Sequence, residues 1–157
     1  MKTRDLSFVA LFAALYIALV YVFAPISFLA IQFRIAGVLR PAIAKKKILI
    51  AAYTIGILGG NLMSPFSGVY ELILMPIMGA LAGCLGYVVA RKLGGSYFAA
   101  GIVIAAVIAC SLSWIFSQLF NLPVLATLPC LFTSEQIICL IGACIFKLIE
   151  TRYVWWN

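Results

Sequence analysis

The chain contains no histidine and only four acidic residues. The first absence removes the commonest metal ligand. Its five cysteines include no Cys-x-x-Cys pair, so most zinc signatures are missing as well. No HExxH, G-x-S-x-G, Ser–base pair or phosphate-binding P-loop occurs. Catalytic residues, a metal and a cofactor are therefore not expected, and the chain is read as not an enzyme. Charge is scarce too. Charged residues make up 10% of the 157 positions, against about 25% in soluble domains. Too little polar surface exists to face water, which excludes a soluble domain, a disordered tail and a secreted disulfide scaffold.

What is present is apolar, at 66% of the chain. A membrane-spanning helix takes roughly 20 apolar residues, so six would consume about 120 and leave only short loops. The expectation is an all-α polytopic membrane protein, a six-transmembrane-helix bundle forming one integral membrane domain over 1–157. Spans are predicted at about 6–24, 34–44, 47–63, 68–90, 97–119 and 130–150. The second is short and reads as a half-helix or a strongly tilted one. Turn signals at Ala24-Pro25, Arg40-Pro41, Ser64-Pro65-Phe66-Ser67-Gly68, Gly94-Gly95 and Asn121-Leu122-Pro123 fall between spans or toward the edge of one. Pro76 lies inside the fourth span and should kink it.

The basic residues set an orientation. Lys2 and Arg4 precede the first span, and Arg40, Lys45, Lys46 and Lys47 form a cluster. Arg91 with Lys92 and Lys147 with Arg152 form two more. Cytoplasmic loops collect Lys and Arg, and the spans fall in pairs between these clusters. Both termini are therefore expected in the cytoplasm, with the protein in the cell membrane. Asp5 beside the first apolar run, with no small-residue cleavage site after it, argues against a cleavable signal. Tyr153-Val154-Trp155-Trp156 reads as an aromatic anchor at the inner interface. Cys84, Cys110, Cys130, Cys139 and Cys144 lie in or beside apolar runs and read as small buried hydrophobes.

Ala10, Ala14 and Ala18 are four apart in the first span, with Ala13 beside them. Small residues on one helix face let another helix approach closely in lipid. That helix belongs either to the same chain or to a separate membrane subunit. Ile57-Leu58-Gly59-Gly60 and Gly79, Gly83 and Gly86 predict further close helix contacts inside the bundle.

Arg34, Asn61, Glu71 and Glu135 fall at membrane depth toward the extracellular half. An ionisable residue there needs a partner or a water-filled cavity and is a functional candidate. Two acids against one base leave one acid for a ligand. Gln32, Ser64, Ser67, Thr133, Gln136 and Asn121 extend the polar set, and Phe33, Phe66 and Tyr70 offer faces for a planar ring. An ionised carboxylate only accepts hydrogen bonds, so the predicted ligand is small, planar, and cationic or donor-rich.

Several stretches carry a resemblance. Met1-Lys2-Thr3-Arg4-Asp5-Leu6 with Ala13-Ala14-Leu15-Tyr16, then Ile31-Gln32-Phe33-Arg34-Ile35 and Gly60-Asn61-Leu62-Met63-Ser64-Pro65-Phe66, resemble the QueT family of queuosine-precursor transporters. These are regarded as substrate-binding S components of energy-coupling factor (ECF) transporters. Glu71 matches the family's acidic residue after the Ser-Pro-Phe turn, and Ser134-Glu135 replaces its Gly-Glu pair. Gly37 stands where the family carries glutamate. The resemblance implies a six-helix S-component fold and an outward pocket for a queuosine precursor or similar deazaguanine-type base. It agrees with the polar set above, so that Glu71, Glu135, Arg34, Asn61, Gln32, Phe66 and Tyr70 are the candidate substrate-binding residues. It implies docking of the Ala10, Ala14 and Ala18 face on a transmembrane T component, with ATP hydrolysis by two separate ATPase subunits. The alternatives are a self-sufficient carrier or channel, or an S component for a different vitamin-like substrate.

Overall fold

The structure is a computed structural model that describes residues 3–27, 33–65 and 67–156. Every regular element among them is helical. α1 spans Thr3–Val22 and is followed by the single turn α2, Ala24–Ser27. A 3-10 helix covers Ile35–Ala44, and α3 covers Leu49–Asn61. A π-helical turn, Tyr70–Leu74, runs directly into α4, Met75–Lys92; α5 spans Tyr97–Phe120 and α6 spans Val124–Arg152. Helices predominate because hydrocarbon offers no partner for backbone N–H and C=O groups, which must bond within the segment.

Among the described residues, four stretches are long and apolar enough to cross a membrane: Thr3–Val22, Tyr70–Lys92, Tyr97–Phe120 and Val124–Arg152. Ile35–Ala44 and Leu49–Asn61 are apolar but shorter. The expected count of six crossing helices thus becomes four of full length and two short ones. The last helix also begins earlier than predicted, at Val124 rather than near 130.

The shortness of the 3-10 helix follows from its place. It packs against α1, α3, α4, α5 and α6, and Ala36, Gly37 and every residue from Arg40 to Ala44 are buried. The longer helices surround it. α1 packs on α3, α3 on α4, α4 on α5, and α5 on α6. Phe12 stacks on Phe146 to bring α6 back to α1. Lipid tails supply no drive for apolar side chains to leave them, so close packing of small residues must do that work. A Cβ on Gly56 would stand 2.9 Å from Tyr16, and one on Gly60 3.1 Å from Val20. These glycines set the α1–α3 approach. Gly86 similarly admits Ile104 of α5.

The termini share one end of the bundle. Lys46 pairs with Asp5 at 3.4 Å and lies over the Phe8 ring at 4.1 Å. Lys45 pairs with Glu150 at 2.8 Å and lies over Trp156 and Tyr97. Trp155 packs on Phe8, Phe12 and Phe146 and donates Nε1–H to the Tyr97 hydroxyl at 3.2 Å. The C-terminal aromatics are therefore partly packed into the helix ends as well as lying at an interface: Tyr153 is exposed, Trp155 and Trp156 half-buried. Since α3 leaves this end at Leu49, Asn61 lies at the opposite end, called here the far end. So do the start of α4 and the α5–α6 turn, where Asn121 adopts φ 52° and stops α5.

Pro76 lies inside the continuous helical stretch Tyr70–Lys92, in the first turn of its α segment. The backbone immediately before it is wound wide, as the π turn. Four of the five cysteines face outward; only Cys139 is buried. The reading of all five as buried fails because each of the four lies on the outer side of a ring helix, where the surrounding phase is itself apolar. Ala10, Ala14 and Ala18 are exposed, while Val9, Ala13, Tyr16 and Val20 face the bundle.

The closest backbone approach is at Gly142, whose hypothetical Cβ would collide with the Val38 carbonyl of the 3-10 helix. Backbone cannot rotate away as a side chain can. Gly142→Ala should lower stability by about 1–3 kcal/mol, the usual cost of overpacking. Thermal unfolding in detergent is the check, and an unchanged midpoint would contradict the packing.

Candidate functional site

Arg34 immediately precedes the 3-10 helix and Arg40 lies within it. Three residues complete one turn of such a helix, so positions 34, 37 and 40 align on one face. The two guanidiniums are attached about 12 Å apart at about 2.0 Å rise per residue. Both side chains are buried, 3% and 2% exposed. A buried charge requires a partner, and each arginine has one on a different helix.

At the far end, Arg34 Nη1 donates to Asn61 Oδ1 at 2.9 Å, and Asn61 Nδ2 donates to the Glu71 carbonyl at 2.7 Å. One amide thereby ties the start of the 3-10 helix, the end of α3 and the π turn together. Ser64 is buried beside them, its N–H bonded to the Asn61 carbonyl. Glu71 is 3% exposed, and its Oε2 accepts no hydrogen bond from a described residue. Asn61 fixes the Glu71 backbone, and the carboxylate remains available as an acceptor.

Deeper in the bundle, Arg40 Nη1 donates to Glu135 Oε2, both side chains almost wholly buried. The guanidinium also lies over the Tyr53 ring at 5.6 Å, and Tyr53 meets Tyr16 edge-on. This corrects the sequence reading of Arg40 as part of a cytoplasmic basic cluster. Arg40 ends the face that Arg34 begins, and only the next turn of chain reaches the charged end at Lys45. It also corrects the count of one base for two acids, because Arg40 takes up Glu135. Eleven residues into α6, Glu135 sits about 16 Å from that helix's start at 1.5 Å per residue.

Gly37 stands between the arginines. A Cβ there would lie 2.9 Å from Ile138 Cγ2 and 3.1 Å from Arg40 Cζ. The missing side chain leaves the space that the Arg40 guanidinium uses.

Of the predicted site residues, the structure groups Arg34, Asn61 and Glu71 and joins Glu135 to Arg40. Tyr70 turns toward α5, edge-on to Trp114 at 5.9 Å. Gln32 and Phe66 lie outside the described residues. Thr133 and Ser134 return their hydroxyls to α6 carbonyls, and Gln136 donates to Ile102 of α5. Beside them a cleft of about 500 Å³ opens among Phe33, Pro129, Cys130, Thr133, Ser134 and Ile137. A second recess of about 530 Å³, between α4 and α5 at Leu74, Met78, Cys110 and Trp114, is almost wholly apolar. It offers a donor-rich ligand nothing to bind. Arg40, Tyr53 and Tyr16 were missed as parts of the polar interior. The signal for Arg40 was its position inside a predicted span, six residues after Arg34.

A bundle of long apolar helices holding ionisable groups in its interior is that of a multi-pass membrane protein. The chain belongs to the QueT family: the sequence model described as QueT transporter matches residues 6–151, nearly the whole length. Neither a curated protein nor a solved structure matches it.

Removing one partner of a buried ion pair leaves an uncompensated charge and costs about 3–5 kcal/mol, whereas apolar replacement of both is close to neutral. Arg40→Met should therefore lower the thermal midpoint sharply, and Arg40→Met with Glu135→Leu should recover most of the loss. Additive destabilisation in the double variant would show that the two do not act as a pair.

Proposed function

We propose that this chain is the substrate-binding S component of an ECF-type ATP-dependent importer. Its cargo is a queuosine precursor or a similar deazaguanine-type base. The observation that carries the proposal is the buried Glu71 carboxylate. It has an oxygen with no hydrogen-bond donor among the described residues, held at the far end through Asn61 and Arg34, in a chain of the QueT family. A guanine-like ring presents N–H donors along one edge, which an acceptor-only carboxylate reads. Phe33, which precedes Arg34 and lines the cleft at Pro129 and Cys130, offers a ring face for stacking. Gln32 and Phe66 complete the proposed substrate set from the sequence motifs, whereas Tyr70, packed edge-on to Trp114, supports the fold there. Glu135, already held by Arg40, acts by positioning rather than by meeting the ligand directly.

In this reading the chain crosses the membrane six times, the 3-10 helix and α3 serving as the second and third passes. The basic end bearing both termini faces the cytoplasm, and the far end faces outward. No P-loop occurs, so energy comes from two ATPase subunits through a transmembrane T component. The Ala10, Ala14 and Ala18 face of α1 is the docking surface. Its support is that these three alanines are exposed while the opposite face of α1 is buried.

Glu71→Gln tests the site in two directions. Loss of a charged acceptor should weaken binding of a 7-deazaguanine base by about 2–5 kcal/mol. The ligand-free protein should be as stable or more stable, because a buried carboxylate oxygen without a donor is costly. Titration calorimetry and thermal unfolding read the two effects, and unaltered affinity would remove Glu71 from the site. Ala14→Trp should abolish uptake and T-component association while leaving base binding within about two-fold, a change of under 0.5 kcal/mol. Loss of base binding instead would place that face inside the bundle.

A further inference from the structure

The four acidic residues are all placed: Asp5 on Lys46, Glu150 on Lys45, Glu135 on Arg40, and Glu71 buried at the far end. No acidic side chain is left for Lys47, Arg91 or Lys92. All three are exposed at the end that carries the termini, and none makes an ion pair with a described residue. Lys47 differs from its two neighbours in sequence. Lys45 and Lys46 lie over aromatic rings, whereas Lys47 sits at the mouth of a groove between α3 and α4.

That open groove offers about 670 Å³ along the surface, a volume in the range of small-molecule sites at roughly 300–1,000 Å³. Its walls are Ala51 and Ile55 on one side and Ala80 and Cys84 on the other. The Thr54 hydroxyl that reaches it is already bonded to the Ile50 carbonyl at 2.9 Å. From Ile48 to Ile55 the α3 wall runs about 10 Å at 1.5 Å per residue. The groove is thus an apolar slot along the bundle axis with one unneutralised cation at its polar end. α4, its other wall, ends in Arg91 and Lys92 at the same end.

We propose that this α3–α4 groove is a binding site for an anionic phospholipid, one acyl chain lying along Ala51, Ile55, Ala80 and Cys84 and the headgroup phosphate on Lys47. An apolar slot alone would take any lipid tail. The charge selects an anionic headgroup, since a zwitterionic one brings its own cation to Lys47. The site is remote from the Arg34–Asn61–Glu71 group and does not depend on the transport reading.

Native mass spectrometry of the full chain in detergent, with equal amounts of phosphatidylglycerol and phosphatidylcholine of matched chains, tests it. Wild type should retain one phosphatidylglycerol in preference, by about five-fold, the factor one lysine contributes near an anionic surface. Lys47→Ala and Lys47→Gln, both at an exposed position, should lose most of that preference, and Arg152→Ala should keep it. Glycerol phosphate, a headgroup without a chain, should not displace the lipid. Equal retention of the two lipids overturns the proposal. So does an equal loss in the Arg152 variant, displacement by glycerol phosphate, or a lipid-free dimer occluding the groove.

Discussion

Arg40 sits on a helix covered on every side, and a guanidinium in such a place must be paired. Much of the molecule's arrangement answers that requirement. α6 has to bring Glu135 to the depth of Arg40, and Gly37 has to leave space beside the guanidinium. α6 can come close enough because Gly142 lets it touch the Val38 backbone. The 3-10 helix can be short because it lies within a ring of longer helices, and its tighter winding aligns Arg34 with Arg40 on one face. In lipid, where apolar burial contributes little to helix association, buried polar pairs and glycine-mediated contacts decide which helices meet.

Two carboxylates lie in the interior, with different surroundings. Glu135 is answered by Arg40 from within the chain. Glu71 has its backbone fixed by Asn61 and its Oε2 without a donor among the described residues. The first arrangement serves architecture. The second keeps an unsatisfied acceptor at one end of the bundle, a costly feature in a stability sense and the one on which the proposed binding role rests. The same economy operates at the opposite end. Two acids there neutralise Lys45 and Lys46 and draw both termini together, and among the described residues no other cation at that end makes an ion pair.

Much of the fold was legible because the membrane imposes simple rules. Each predicted span has a helical counterpart, and the turns at Gly94-Gly95 and Asn121 fall where local backbone chemistry placed them. The paired basic clusters anticipated that both termini share one end. Boundaries were less legible. The predicted last span begins near 130, after the Asn121-Leu122-Pro123 turn, yet α6 begins at Val124 and accommodates Pro129. Of the candidate site, the Arg34–Asn61–Glu71 group was visible as polar residues at matching heights. The partnership of Glu135 was not. Arg40 adjoins a lysine run and a proline, so local context marked it as the edge of a loop.

By itself, the sequence determined the solvent, the helical class and the end at which charge collects, because these follow from composition and from periodicity along the chain. It also limited the chemistry, since four acids and no histidine leave few groups able to act. Only the tertiary structure decided which acid each base takes, which alanines face outward, and which carboxylate has an oxygen without a donor among the described residues. Those outcomes depend on distances between helices far apart in sequence. Such distances are set by glycine contacts and buried pairs that no single segment specifies.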